Sequence, residues 1–235
     1  MYLIQNYIEI EQKSLKTFLS FVLLVILILF PSYALFSSKY SVKNVNVISD
    51  FDIETSMTES FYGKSIWFVT NKSLSNLQDQ FPYIEKIETE TFLPSTVQIT
   101  FKFYRQVATI KDLRGSQPKE TVLYKNLYRS NDLIENNELL QVSIINGPVD
   151  EAFDGELVSF FMTIQNFDEI YIGGISLVHT GNTISGYYEE VEILFGAPID
   201  LSKKAAAIGE LLSSGECSGT VTFVNSESFI TDCNI

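Results

Sequence analysis

Side chains that carry enzyme and metal chemistry are few and scattered in this sequence. One histidine, His179, and two cysteines, Cys217 and Cys233, occur in 235 residues. That excludes His-rich and four-cysteine metal sites and most Cys-His catalysis. A Ser-His-Asp arrangement would need His179, but no G-x-S-x-G elbow supplies its nucleophile. The acids Asp150, Glu151, Asp154 and Glu156 lack the alternating spacing of a calcium loop and stand at a predicted helix start, where they complement the helix dipole. Glu189 and Glu190 fall on a predicted strand, so they point to opposite faces and cannot flank one glycosidic bond. Gly63-Lys64-Ser65 lacks the glycine that a phosphate loop needs five positions earlier, where Thr58 stands. Trp67, between Ile66 and Phe68, reads as a core aromatic, with a partner-binding anchor as the alternative. Asn71-Lys72-Ser73 matches a glycosylation acceptor, which matters only in a eukaryotic secretory pathway. The expectation is a non-enzyme with no catalytic, cofactor-binding or metal-ligating residue.

The elements around these residues begin with a membrane-length segment. No charged side chain occurs between Lys16 and Lys39, and residues 18–36 are dominated by apolar types. About 20 such residues cross the hydrocarbon of a bilayer as a helix that satisfies its own backbone. Two readings of this segment stay open, a retained anchor over 17–38 and a cleaved signal peptide with Ser32-Tyr33-Ala34 as its processing site. Both export the remainder of the chain. Residues 1–16 then form a cytoplasmic tail. An oxidising compartment permits a disulfide between Cys217 and Cys233. The net charge of -13, from 29 acids against 16 bases, disfavours a phosphate backbone as a ligand and so excludes nucleic acid.

Beyond the span, alternation through Val45 and Val47 predicts a strand, and Met57, Phe61 and Tyr62 a short helix ended by Gly63. A second helix follows over 73–81, then strands through Ile84 to Phe92 and Val97 to Phe103 around the turn Leu93-Pro94-Ser95. The order is β-α-α-β-β. Polar residues 111–120, with Gly115 and Pro118, read as an interdomain connection or a long hairpin loop. A second unit then shows strands over 122–128 and 139–145, a helix over 151–166, and strands over 170–179 and 184–195 around Gly181-Asn182. It closes with a helix over 202–213, N-capped by Ser202 and stopped by Gly215, and a final strand at 220–224. The fold class is α+β, with a single N-terminal transmembrane helix and two exported domains.

Several local motifs carry a family likeness. They are Gly63-Lys64-Ser65-Ile66-Trp67, the stretch Phe81-Pro82-Tyr83-Ile84-Glu85-Lys86-Ile87, Phe92-Leu93-Pro94-Ser95-Thr96-Val97, and Val107-Ala108-Thr109-Ile110. Looser matches are Ile193-Leu194-Phe195-Gly196 and Gly219-Thr220-Val221-Thr222-Phe223. With the short tail and single span, the chain resembles the bacterial cell-division family FtsQ/DivIB. The resemblance implies a POTRA-like domain at 40–111 and an FtsQ-type β domain at 112–235. It implies a single-pass scaffold of the cell (inner) membrane at the division septum, with its N-terminus cytoplasmic. Its partners would be the lipid bilayer and small single-span coiled-coil division proteins of the FtsB/DivIC and FtsL type. In the family the partner is held by strand addition, which carries over here to Thr220, Val221, Thr222, Phe223 and Val224. The alternative for that strand is a central position with both edges paired. The alternatives for function are an exported, membrane-anchored ligand-binding protein or enzyme using the acid cluster and His179, and a POTRA-type accessory of protein export.

Overall fold

A computed structural model describes residues 16–29, 31–33, 37–49, 55–69, 71–131, 138–215 and 217–234. The expected tail up to residue 15, and Asp52 and Glu54 as acids preceding the first short helix, lie outside the described residues. Helix α1 (Lys16–Tyr33) is 18 residues long with a mean hydropathy of 2.0 and no buried residue. At 1.5 Å per residue it measures about 27 Å, the length and apolarity of a membrane-crossing helix.

The chain divides between Phe103 and Tyr104 into two compact units. In the first, β1 (Asn44–Ile48), α2 (Thr55–Glu59), α3 (Asn71–Gln80), β2 (Ile84–Phe92) and β3 (Thr96–Phe103) follow one another. The sheet order is β1-β3-β2, with β1 parallel and β2 antiparallel to the central β3. Period-two alternation explains β3: Val97, Ile99 and Phe101 are buried. Against them pack Met57 and Phe61, four residues apart, and Leu74 and Leu77, three apart, which is the spacing of one helical face.

The second unit is a nine-stranded mixed sheet, ordered β12-β11-β10-β9-β8-β7-β4-β5-β6. Its strands are β4 (Gln106–Asp112), β5 (Lys119–Tyr124), β6 (Arg129–Ser130), β7 (Leu140–Ile144), β8 (Ser176–Thr180), β9 (Thr183–Tyr188), β10 (Val191–Gly196), β11 (Ser218–Phe223) and β12 (Phe229–Asn234). Two crossovers join parallel neighbours: α4 (Glu151–Ile164) connects β7 to β8, and α5 (Leu201–Ser214) connects β10 to β11. Phe153, Leu157, Phe160, Phe161 and Ile164 form the buried stripe of α4, and Leu201, Ala205 and Ile208 that of α5. Both stripes share one core with the alternate residues Leu177, Ile184, Ile193 and Val221 of the sheet. The helices therefore cover one sheet face, and the positions between, such as Tyr187 and Leu194, stay exposed.

One open reading is decided and other expectations change. Of the two readings of 111–120 the hairpin holds, joining β4 to β5, and the division into units falls at Phe103/Tyr104 and not at 111/112. Residues 184–195 are two strands, because Glu189 takes a positive φ of 50° and turns the chain so that Tyr188 faces Val191. Glu189 and Glu190 are thus turn residues. The N-cap of α5 is Asp200 instead of Ser202, with Gly215 ending the helix in the left-handed region as expected. The core place assigned to Trp67 belongs to Ile66, and Trp67 is 45% exposed.

Candidate functional site

The sequence-derived site, residues 220–224, lies largely on β11, and the structure places that strand inside the sheet. β11 is parallel to β10 on one side and antiparallel to β12 on the other. Val221 and Phe223 are buried, while Val224 lies just beyond the strand and is exposed. Thr220, Val221, Thr222 and Phe223 therefore present no open edge, and strand addition at those residues is corrected: the chain's own last strand occupies the position. That strand, β12, forms the end of the sheet.

Local chemistry builds this edge. Asn225 makes the turn, its Oδ1 accepting from the Glu227 and Ser228 amides at 2.9 and 2.8 Å. Phe229 then joins the core through Phe223, at 5.4 Å between ring centroids, and Phe223 stacks on Phe195 at 5.5 Å. At the far end Cys217 and Cys233 are disulfide-bonded, with Cα atoms 5.0 Å apart. Between these anchors Gly219 has φ 145°, and a Cβ there would stand 2.1 Å from the Asp232 carbonyl oxygen. Only glycine admits this approach of the two backbones.

Hydrogen-bond direction identifies the groups on the open side. The Gly219 amide donates to Glu190 O, and the Val224 amide to Ser228 O. Backbone groups alternate sides along a strand, so Thr220 and Thr222 bond towards β12, opposite Asp232 and Ile230. The amides and carbonyls of Phe229, Thr231 and Cys233 then point away from the sheet. Beside them Ile230 is 66% exposed, on the face that the helices leave open. An edge of this kind is a template for another strand.

The other singled-out residues have structural work. His179 is fully buried, stacks on Phe153 at 4.6 Å, and faces Thr183 O through Nδ1 at 3.2 Å and Pro148 O through Nε2 at 3.1 Å. Asp150 caps α4 by accepting from the Phe153 amide at 2.9 Å, Asp154 forms a forked ion pair with Arg129, and Glu156 accepts from the Leu201 amide at 2.7 Å. Three of the four acids are thus divided among a helix cap, a salt bridge and a helix-to-helix tie, and Glu151 lies exposed in the first turn of α4. Gly63, at φ 77°, is a turn residue whose amide donates to Val42 O. A concavity of about 360 Å³ lies at the start of α5, between Phe195, Ile199, Phe223 and Val224. In its wall the Lys204 ammonium donates to Phe195 O and Ala197 O at 2.9 and 2.8 Å, and burial pushes its pKa below the ordinary lysine range. Among the described residues no cluster of His, Cys, Asp and Glu is arranged to hold a metal ion.

Sequence reasoning missed β12 itself. The signal available for it is the Cys217–Cys233 pairing, since a bridge there requires the chain to fold back along β11. Compared with known proteins, the chain matches no family model and no curated protein.

Proposed function

We propose that this chain is a non-enzymatic, single-pass membrane scaffold of the bacterial division machinery, of the FtsQ/DivIB kind, and that it recruits small coiled-coil division proteins by strand addition to β12. One observation carries the reading: the sheet ends in a strand anchored by a disulfide and an aromatic stack, with outward amides and carbonyls at Phe229, Thr231 and Cys233. A partner strand there gains backbone hydrogen bonds on the side of β12 away from β11, while alternate side chains set specificity. The β-α-α-β-β order and the β1-β3-β2 sheet of the first unit support a POTRA-like reading. The apolar α1 supports a bitopic arrangement, with the tail in the cytoplasm and both units outside.

A photoreactive side chain at Ile230 or Asp232, in the full chain in bacterial membranes, tests the edge. Crosslinks to a small single-span coiled-coil protein are the expected result. Crosslinks to that same protein only from distant positions such as Lys119 would place recruitment elsewhere.

A further inference from the structure

An acidic protein carries a basic and aromatic surface in segments that follow its membrane-length helix. Residues 37–49 and 60–69 contain no Asp or Glu, although the chain holds 29 acids and Asp50 and the exposed Glu59 border these segments. They contain Lys39, Lys43 and Lys64, all exposed. The fold joins the two segments: Ser41 and Ser65 form a β-bridge, the Val42 amide donates to Lys64 O at 2.8 Å, and the Gly63 amide donates to Val42 O at 3.0 Å. On the joined surface stand Tyr62, Trp67 and Phe68, exposed by 50%, 45% and 52%. Tyr40 packs against Trp67 at 6.0 Å, and the Lys39 ammonium lies 5.9 Å from the Tyr40 ring.

We infer that this surface is a bilayer-contact site, with Trp67, Phe68 and Tyr62 seated at the headgroup level and Lys39, Lys43 and Lys64 on anionic lipid. The inference rests on α1 crossing the membrane and is independent of any division partner. Tyr40 lies seven positions beyond Tyr33, the end of α1, and an extended chain reaches at most about 3.6 Å per residue. Tyr40 is therefore within about 25 Å of the end of the span. Trp and Tyr favour the interface because each combines an apolar body with a polar tip, and lysine stems cover apolar surface while their ammonium reaches water or phosphate. Anionic lipid also attracts juxtamembrane cations, whereas the chain as a whole, at net charge -13 with these lysines included, is repelled. Lipid thus selects this face of the first unit.

Trp67 is the chain's single tryptophan, so its fluorescence reports on the site alone. The full chain is reconstituted in vesicles of phosphatidylcholine and phosphatidylglycerol with bromine-labelled acyl chains. Loss of most Trp67 emission is expected, together with protection from aqueous acrylamide. Both effects should weaken in pure phosphatidylcholine and in the Lys39→Glu, Lys43→Glu, Lys64→Glu variant, whose changes are all at exposed positions. A second variant, Phe68→Ser, should weaken quenching without altering the charge. Emission that acrylamide quenches and lipid bromine leaves untouched would overturn the proposal, and so would lipid quenching unaffected by either variant. Failure of the chain to float with the vesicles would remove the span and this contact together.

Discussion

At the scale of single residues, local stability depends on groups whose partners are set by geometry. Asp112 at the end of β4 accepts from the Arg114 guanidinium at 2.9 and 2.6 Å, and Arg114 also donates to Gly147 O at 2.9 Å. These bonds fasten the β4–β5 hairpin to the Gly147 turn. Hydrogen bonding from Arg114 holds the Asp112 carboxyl down at about 2, from the usual 3.8. A carboxyl depressed by folding stabilises the native state above its unfolded pKa and loses that contribution as pH falls through its folded one. The window here runs from about 4 down to about 2. Acid-unfolding profiles of the native chain and of Asp112→Asn should therefore converge across it, by a modest amount because the pair is partly exposed. Parallel profiles would show that the pair contributes nothing. Gly219 is the second residue of this kind: Gly219→Ala places a Cβ on the Asp232 carbonyl and a side chain at φ 145°. A loss of about 1–3 kcal/mol is expected in denaturant unfolding, with faster amide exchange along β12. Unchanged exchange there would mean that the two strands separate to accept the methyl at little cost.

At the scale of elements, β12 is the one with least sequence support and most consequence. Only Phe229 and Ile230 are large apolar residues in it, too few to mark a strand by pattern. Tertiary context supplies the rest, through the Asn225 turn, the Phe223 contact and the disulfide. Closing a loop with a sequence separation of 16 residues restricts the unfolded chain and contributes about 3 kcal/mol in the chain-entropy model. Replacing both cysteines by serine should lower stability by about that amount and release 229–234 to proteolysis before the rest of the unit. Simultaneous loss of all protection would contradict a local role. Other elements were open to reading for clear reasons. The α4 stripe, its acidic start, Gly215 as the stop of α5, and the Gly181-Asn182 hairpin each combine a periodic pattern with a residue suited to the turn. The turn at Glu189 was not, because a glutamate at positive φ gives no turn signature. The β4–β5 loop reads both ways, since its glycine and proline suit a linker and a hairpin alike, and the pairing of its flanks decides for the hairpin.

For the whole molecule, the chain combines a helix long and apolar enough to cross a membrane, a first unit with exposed aromatic residues at Tyr62, Trp67 and Phe68, and a second unit whose sheet ends in β12. Hydropathy made the long apolar helix legible, because it is a sum over many residues. The edge lies one strand further on than the sequence reading has it, since that reading places strand addition at 220–224 while β12 pairs with β11 there and ends the sheet. The most direct test of the central claim removes one outward donor from that edge. Thr231→Pro deletes the Thr231 amide, which points away from β11, and proline is tolerated on the open side of an edge strand. The measurement is capture of membrane partners from bacterial cells by the tagged full chain and by this variant, with folding checked by the retained disulfide and unchanged melting. The account predicts that the native chain captures a small single-span coiled-coil protein and that Thr231→Pro loses it. Equal capture by a folded Thr231→Pro chain would contradict strand addition at β12.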